Sequence, residues 1–95
     1  MKLSEMWHLA AKELKQGKYV FYNPETDSHC AIGALIHYMH GHECCSKAGR
    51  GGFPLDAIKD VTTKFCPSRQ YITQANDALG WSFEDFAKKA EELGL

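Results

Sequence analysis

Around residues 4–16 the apolar positions recur at helical spacing. Leu3, Met6, Trp7, Ala10 and Leu14 share one face, opposite Glu5, Lys12 and Lys15. Ser4 stands where an N-cap belongs and Gly17 where a helix ends, so a first helix is predicted over 4–16. Tyr19-Val20-Phe21-Tyr22 follows, rich in β-favouring side chains and closed by Asn23-Pro24. Four residues cannot sustain a sheet alone, so 19–22 is expected to be a short extended segment whose pairing partner would come from a loop. Residues 29–40 are apolar almost all round, from Cys30 to Met39, which marks a helix that the others enclose. Thr26, Asp27 and Ser28 offer its capping side chains. Gly33 inside it costs about 1 kcal/mol of helix propensity, offset if another backbone approaches closely there.

Residues 41–52 carry four glycines among mixed polar residues and read as the longest loop. Pro54 suits the first turn of a third helix with Leu55, Ile58, Val61, Thr62 and Phe65 on one stripe. Cys66-Pro67-Ser68 stops that helix and caps a fourth over 69–79, whose inward face holds Ile72, Ala75, Asn76 and Leu79. The most regular pattern is the last, over 83–93: Phe83, Phe86, Ala87, Ala90 and Leu93 on one side and every charge outside it. Ser82 with Asp85 three residues on makes a shorter relative of the capping box. The expected fold is mainly α: a compact five-helix single domain over residues 1–95, with one short extended segment near 19–22.

Composition narrows the function. Eleven Lys and Arg against twelve Asp and Glu leave a net charge of −1 over 95 residues. The nearest approach to a basic stripe, Lys12, Lys15 and Lys18, is interrupted by Glu13, so phosphate-driven nucleic-acid binding is disfavoured. No apolar run is long enough to span a bilayer. No charged segment followed by an apolar stretch opens the chain, so a cytoplasmic location with Cys30, Cys44, Cys45 and Cys66 reduced is expected.

Three places carry candidate chemistry. Residues 37–45 hold three imidazoles and two thiols, and His40, His42, Cys44 and Cys45 could reach one zinc ion around a tight loop, although no C-x2-C pair is present. Against that stands the reading with no cofactor, in which His37 and His40 are helix-surface or satisfied core histidines and the cysteines pack as small hydrophobes. Cys30, near a helix N-terminus, is the candidate nucleophile of a thiol enzyme. His37 lies about 10 Å further along the same helix face, out of reach as its base, so the partner would have to be His29, His8 or another remote residue. A structural Cys30 packed beside Gly33 is the favoured reading, and a pocket joining Cys30, a histidine and Asp77 would favour the enzyme. Asn76-Asp77 is a polar focus: a core-facing amide must be bonded, to the start of the central helix or to the Trp81 turn, and the pair is expected to be a structural latch between the last two helices. Residues 79–87 superficially match the turn of a helix-turn-helix nucleic-acid binder, but the second helix would open on Phe83, Glu84 and Asp85, which phosphates repel.

Cys30-Ala31-Ile32-Gly33-Ala34-Leu35, then Asn76-Asp77, then Ser82-x-Glu84 opening an amphipathic helix, resembles a family of small phage and actinobacterial proteins. The likeness covers about half the chain in two short blocks. In that family a Trp commonly precedes Asn-Asp; here Ala75 stands there and Trp81 follows instead. The Cys/His-rich stretch falls outside the pattern. The resemblance implies a phage or mobile-element origin and no known activity. It leads to the expectation of an accessory protein that binds a host protein, for instance as an inhibitor of host defence, and does not catalyse. The aromatic residues expected to be left outside one small core, Trp81, Tyr19, Tyr22 and Phe53, are the candidate contact residues.

Overall fold

In the computed structural model the expected helical pattern is present but divided differently. All residues are described except Arg50, Phe53, Pro67 and Ser68 and the side chains of Leu55 and Arg69. The stop and cap expected at Pro67 and Ser68, and the contact role expected for Phe53, lie outside the described residues. The elements are α1 (Leu3–Glu13), β1 (Lys15–Gln16), β2 (Tyr22–Asn23), β3 (Ser28–His29), α2 (Ala31–His40), α3 (His42–Gly49), a 3-10 turn (Leu55–Ile58), α4 (Lys59–Phe65), α5 (Arg69–Asp77) and α6 (Phe83–Glu92). Six α-helices are therefore described where five were expected. No described helix is long and apolar enough to cross a membrane.

The extra helix is α3, in the stretch read as a loop. Its glycines lie at the ends: Gly41, at φ 95°, stops α2, while Gly49, Gly51 and Gly52 cluster where α3 finishes. Between them, residues 42–48 contain neither Gly nor Pro, and Cys45 and Ala48 supply a small buried face. The small residues matter because an extended segment runs tight against both helices. A Cβ added to Gly33 would sit 1.8 Å from the Phe21 carbonyl oxygen, and one added to Gly49 would sit 2.4 Å from that of Tyr22. The propensity cost of Gly33 thus brings the backbone contact expected for it.

The first helix is shorter than its apolar stripe. Leu14 leaves it with extended backbone, and Lys15–Gln16 pair in parallel with Ser28–His29. Tyr22–Asn23 join the other edge of β3 antiparallel, giving the order β1-β3-β2. Helix propensity at Gln16 yields to the tertiary bonds described below. Ser4 is not the cap: the helix begins at Leu3, and the buried Ser4 hydroxyl donates to the Leu95 carbonyl at 2.7 Å. Similarly, His29 belongs to β3, and Cys30 rather than residues 26–28 caps α2, its sulfur accepting from the Gly33 N–H at 3.4 Å.

Trp7 lies at the centre of the core, fully buried, with its indole N–H donating to the Ala31 carbonyl at 3.1 Å. Its ring meets Phe65 edge-on at 4.9 Å and Phe86 at 5.1 Å, which joins α1 to α4 and α6. Around it pack the inner faces of α2 and α5, with Ile32, Leu35, Ile36 and Ile72 essentially inaccessible. The full capping box forms at α6: Ser82 accepts from the Asp85 N–H, and the Asp85 carboxylate accepts from the Ser82 N–H.

Candidate functional site

Asn76 is wholly buried near the end of α5. Its carbonyl oxygen accepts from Gln16 Nε2 at 2.8 Å and from the Ala31 N–H, at the start of α2, at 3.1 Å. Its amide nitrogen donates to the Gly17 carbonyl at 2.9 Å and to Asp77 Oδ1 at 2.8 Å. An amide side chain offers two donors and two lone pairs, and all four are used. Gln16 extends the network, donating to the Trp81 carbonyl at 2.6 Å and accepting from the Phe83 N–H at 2.9 Å. The polar focus thus bonds α5 to β1 and, as expected, to the start of α2; among the described residues it reaches α6 through Gln16 and does not join the last two helices directly.

Beside it opens a cleft of about 310 Å³, lined among others by Tyr19, Val20, Phe21, Cys30, Thr73 and Asp77. Asp77 Oδ1 also accepts from the Tyr19 N–H at 3.0 Å, holding that residue in the left-handed region at φ 73°. Cys30 and Asp77 therefore share a cavity, as a thiol enzyme would need, but no histidine lines it. Burial pushes the Cys30 thiol up to about 11, against the smaller opposing effect of the Gly33 N–H. At neutral pH it is protonated, the inert form.

The imidazoles gather elsewhere. His29 from β3, His37 from α2 and His42 from α3 bring one ring nitrogen each to within 4.8 Å of one another. Ring centroids are 5.0 Å apart for His29–His37, 5.7 Å for His37–His42 and 6.3 Å for His29–His42. The Tyr22 ring packs on His29 at 4.8 Å and on His42 at 5.1 Å, and its hydroxyl donates to Asp27 Oδ1 at 2.9 Å. His29 is 2% exposed, His37 half-buried and His42 exposed, so the cluster runs from core to solvent. Both nitrogens of His29 and Nδ1 of His37 are buried without a hydrogen-bond partner among the described residues. Each such orphan costs on the order of 1–3 kcal/mol. Burial, with repulsion from His37 and His42 outweighing attraction from Asp27, lowers the His29 pKa to about 4. Burial and His42 lower that of His37 too, against Glu13 and Asp27. The two side chains are neutral imidazoles at pH 7, the form that ligates metals.

Of the ligand set expected from the sequence, His42 alone belongs to this cluster. His40 is exposed at the end of α2, Cys44 is half-buried, and Cys45 is fully buried with its S–H donating to the Gly33 carbonyl at 3.2 Å. Burial and the neighbouring Cys30 and Cys44 push the Cys45 thiol up to about 12. The cluster joins His29 and His37 to His42 instead of His40 and the thiols; α3 starts at His42 and places the Cys45 thiol on the Gly33 carbonyl of α2. The sequence signal for His29 was faint: an imidazole eight residues before another, across a strand end that no periodicity marks.

Among the expected contact residues, Tyr19 is 80% exposed, whereas Tyr22 is buried as the wall of the histidine cluster. Trp81 is half-buried, its ring 5.2 Å from that of Phe86. It borders an apolar groove of about 240 Å³ together with Phe65, Tyr71, Ala75, Leu79 and Lys89. Tyr71 and Leu79 on that groove are 60% and 68% exposed.

No family model, curated protein or solved structure matches the chain.

Proposed function

We propose that the protein acts by docking on a protein partner through the apolar groove between α5 and α6. The observation that carries this reading is the exposure of Tyr71 and Leu79 beside Trp81 and Phe65 around one concave apolar surface. Single exposed apolar side chains are ordinary, but a contiguous set around a groove marks a contact surface. Tyr and Trp are the side chains that most often anchor such contacts. Lys89, paired with Glu92 at 3.7 Å, supplies a polar rim. The fitting occupant is an apolar side-chain cluster, such as one face of a partner helix.

Binding rather than catalysis is supported by the Cys30 thiol, which is protonated and shares its cleft with no imidazole. Nucleic acid is disfavoured by Glu84 and Asp85 in the first turn of α6, where phosphates would have to approach. The likeness to phage-type chains makes the partner a host protein in this reading, and inhibition of a host defence protein the action to test.

The test begins with affinity capture from candidate host lysates, identification of the captured protein, and titration of that protein in purified form. Leu79→Asp, at an exposed position, is expected to weaken binding at least tenfold while the circular dichroism spectrum stays unchanged. Equal affinity of the variant overturns the groove as the contact surface. Background proteins alone from several hosts count against docking altogether, and a wild-type dimer dispersed by Leu79→Asp would make a second copy the occupant.

A further inference from the structure

We propose that His29, His37 and His42 bind one divalent transition metal ion of the zinc class, through one ring nitrogen each. Three imidazoles from β3, α2 and α3 converge, although nothing in their covalent spacing requires it. Independent of that convergence, the 98% buried His29 carries two ring nitrogens with no partner among the described residues, and one of them belongs to the converging set. A buried imidazole ordinarily bonds at both nitrogens, so a side chain buried with neither bonded is organised for a ligand.

The distances fit after small ring rotations. A point among three atoms no more than 4.8 Å apart lies at most about 2.8 Å from each, about 0.7 Å beyond a Zn–N bond of about 2.1 Å. The donor chemistry selects the ion: neutral imidazoles suit Zn, Co, Ni and Cu, whereas Mg and Ca require oxygen ligands. Tyr22 packs on the rings of His29 and His42 and so limits their orientation, the supporting role that outer groups play at metal sites. Three protein ligands leave a fourth tetrahedral position, and the exposure of His42 directs it to solvent, so water completes the coordination. The ion would also join three elements that meet around a two-residue strand.

The test uses the full chain stripped of metal with a chelator. Titration with zinc is expected to give one ion per chain, a higher melting temperature, and reversal by chelator; magnesium is expected to give none of these. Substituting cobalt(II) should produce visible bands of a tetrahedral nitrogen site without a thiolate-to-cobalt band. His42→Ala, an exposed change that spares the core, should weaken zinc binding on the order of 100-fold or more. The double variant His40→Ala, Cys44→Ser should leave it within about twofold. Leu79→Asp should also leave it intact, which separates this site from the docking groove. Absence of zinc binding at micromolar concentrations, a thiolate band, or undiminished binding by His42→Ala would each overturn the assignment.

Discussion

Asn76 and His29 are both polar and both buried, at 0% and 2% exposure, and both are tied to the same short ladder. Gln16 pairs with His29 across β1 and β3, and its side chain bonds Asn76. Asn76 has every donor and lone pair engaged; His29 has neither nitrogen engaged. Burying a polar group is tolerable when its bonds with water are replaced. The protein meets that condition at Asn76 and departs from it a few residues away. A satisfied buried polar group reports what holds the fold together. An unsatisfied one, where neighbours of the same chemistry converge, is the observation on which the proposed metal site rests.

The largest effect that tests the contrast comes from truncating each side chain in metal-free protein. Asn76→Ala removes four bonds and strands the Ala31 N–H and the Gly17 carbonyl, so a loss of about 3–5 kcal/mol in urea unfolding is expected. His29→Phe keeps a ring against Tyr22 and His37 and removes two orphaned nitrogens. It should change stability by less than about 1 kcal/mol, or raise it, while abolishing any gain from zinc. Comparable losses from the two variants would erase the distinction.

Acid sharpens it with a somewhat smaller effect. His29 is lowered from 6.5 to about 4 in the folded protein, so between those values the unfolded chain takes a proton that the native state refuses. Stability that is present above pH 6.5 is therefore lost as pH falls toward 4, by up to about 2–3 kcal/mol. The groups facing that ring are Tyr22, His37, His42 and Asp27; His37, itself lowered, adds in the same direction. Urea midpoints measured from pH 7 to pH 4 should fall for the wild type and fall less for His29→Phe. Identical slopes would mean that the buried imidazole is not the sensor.

How much of this was legible beforehand follows from the range of the forces involved. The central helix, the close backbone approach at Gly33 and the Ser82–Asp85 cap depend on residues near one another in sequence or on a helix's whole circumference, and pattern exposes them. The mainly helical class follows from the same signals. The strands were hidden because two-residue ladders have no alternation to detect, and Gln16 leaves helical spacing for bonds to Asn76, Trp81 and Phe83, more than fifty residues away. α3 was hidden because its flanking glycines were read as a loop when they are stops. The candidate metal site suffered twice: without α3 the direction of His42 and Cys45 could not be placed, and without β3 there was no reason to bring His29 to them. Chemistry drawn from neighbours in sequence selected His40, His42, Cys44 and Cys45; the cluster in the fold keeps His42 and adds His29 and His37 from two other elements.

His8 tests the contrast from the opposite side, with the smallest effect. On the outer face of α1 it bonds Glu91 through Nε2 and Glu84 through Nδ1, the latter at 3.3 Å, and these two carboxylates of α6 raise its pKa above 6.5. Here the folded state binds the proton more tightly than the unfolded chain. The stabilisation is fully present below pH 6.5 and lost as pH rises through the folded value, opposite in sign to His29 and in a higher window. Both partners are solvent-exposed, so salt screens the pair, whereas it cannot reach the desolvation that dominates at His29. Following the histidine ring protons by NMR should show His8 titrating above 6.5 in dilute buffer and moving back toward it in molar salt, with the His29 resonance unmoved until strongly acidic pH. His8→Gln should then remove the small loss of stability on the alkaline side and leave the acid-side loss intact. A His8 resonance titrating at 6.5 in dilute buffer would show that the carboxylates do not hold it. A His29 resonance that follows salt would place that ring in solvent, and its unpaired nitrogens would then be hydrated and say nothing of a ligand.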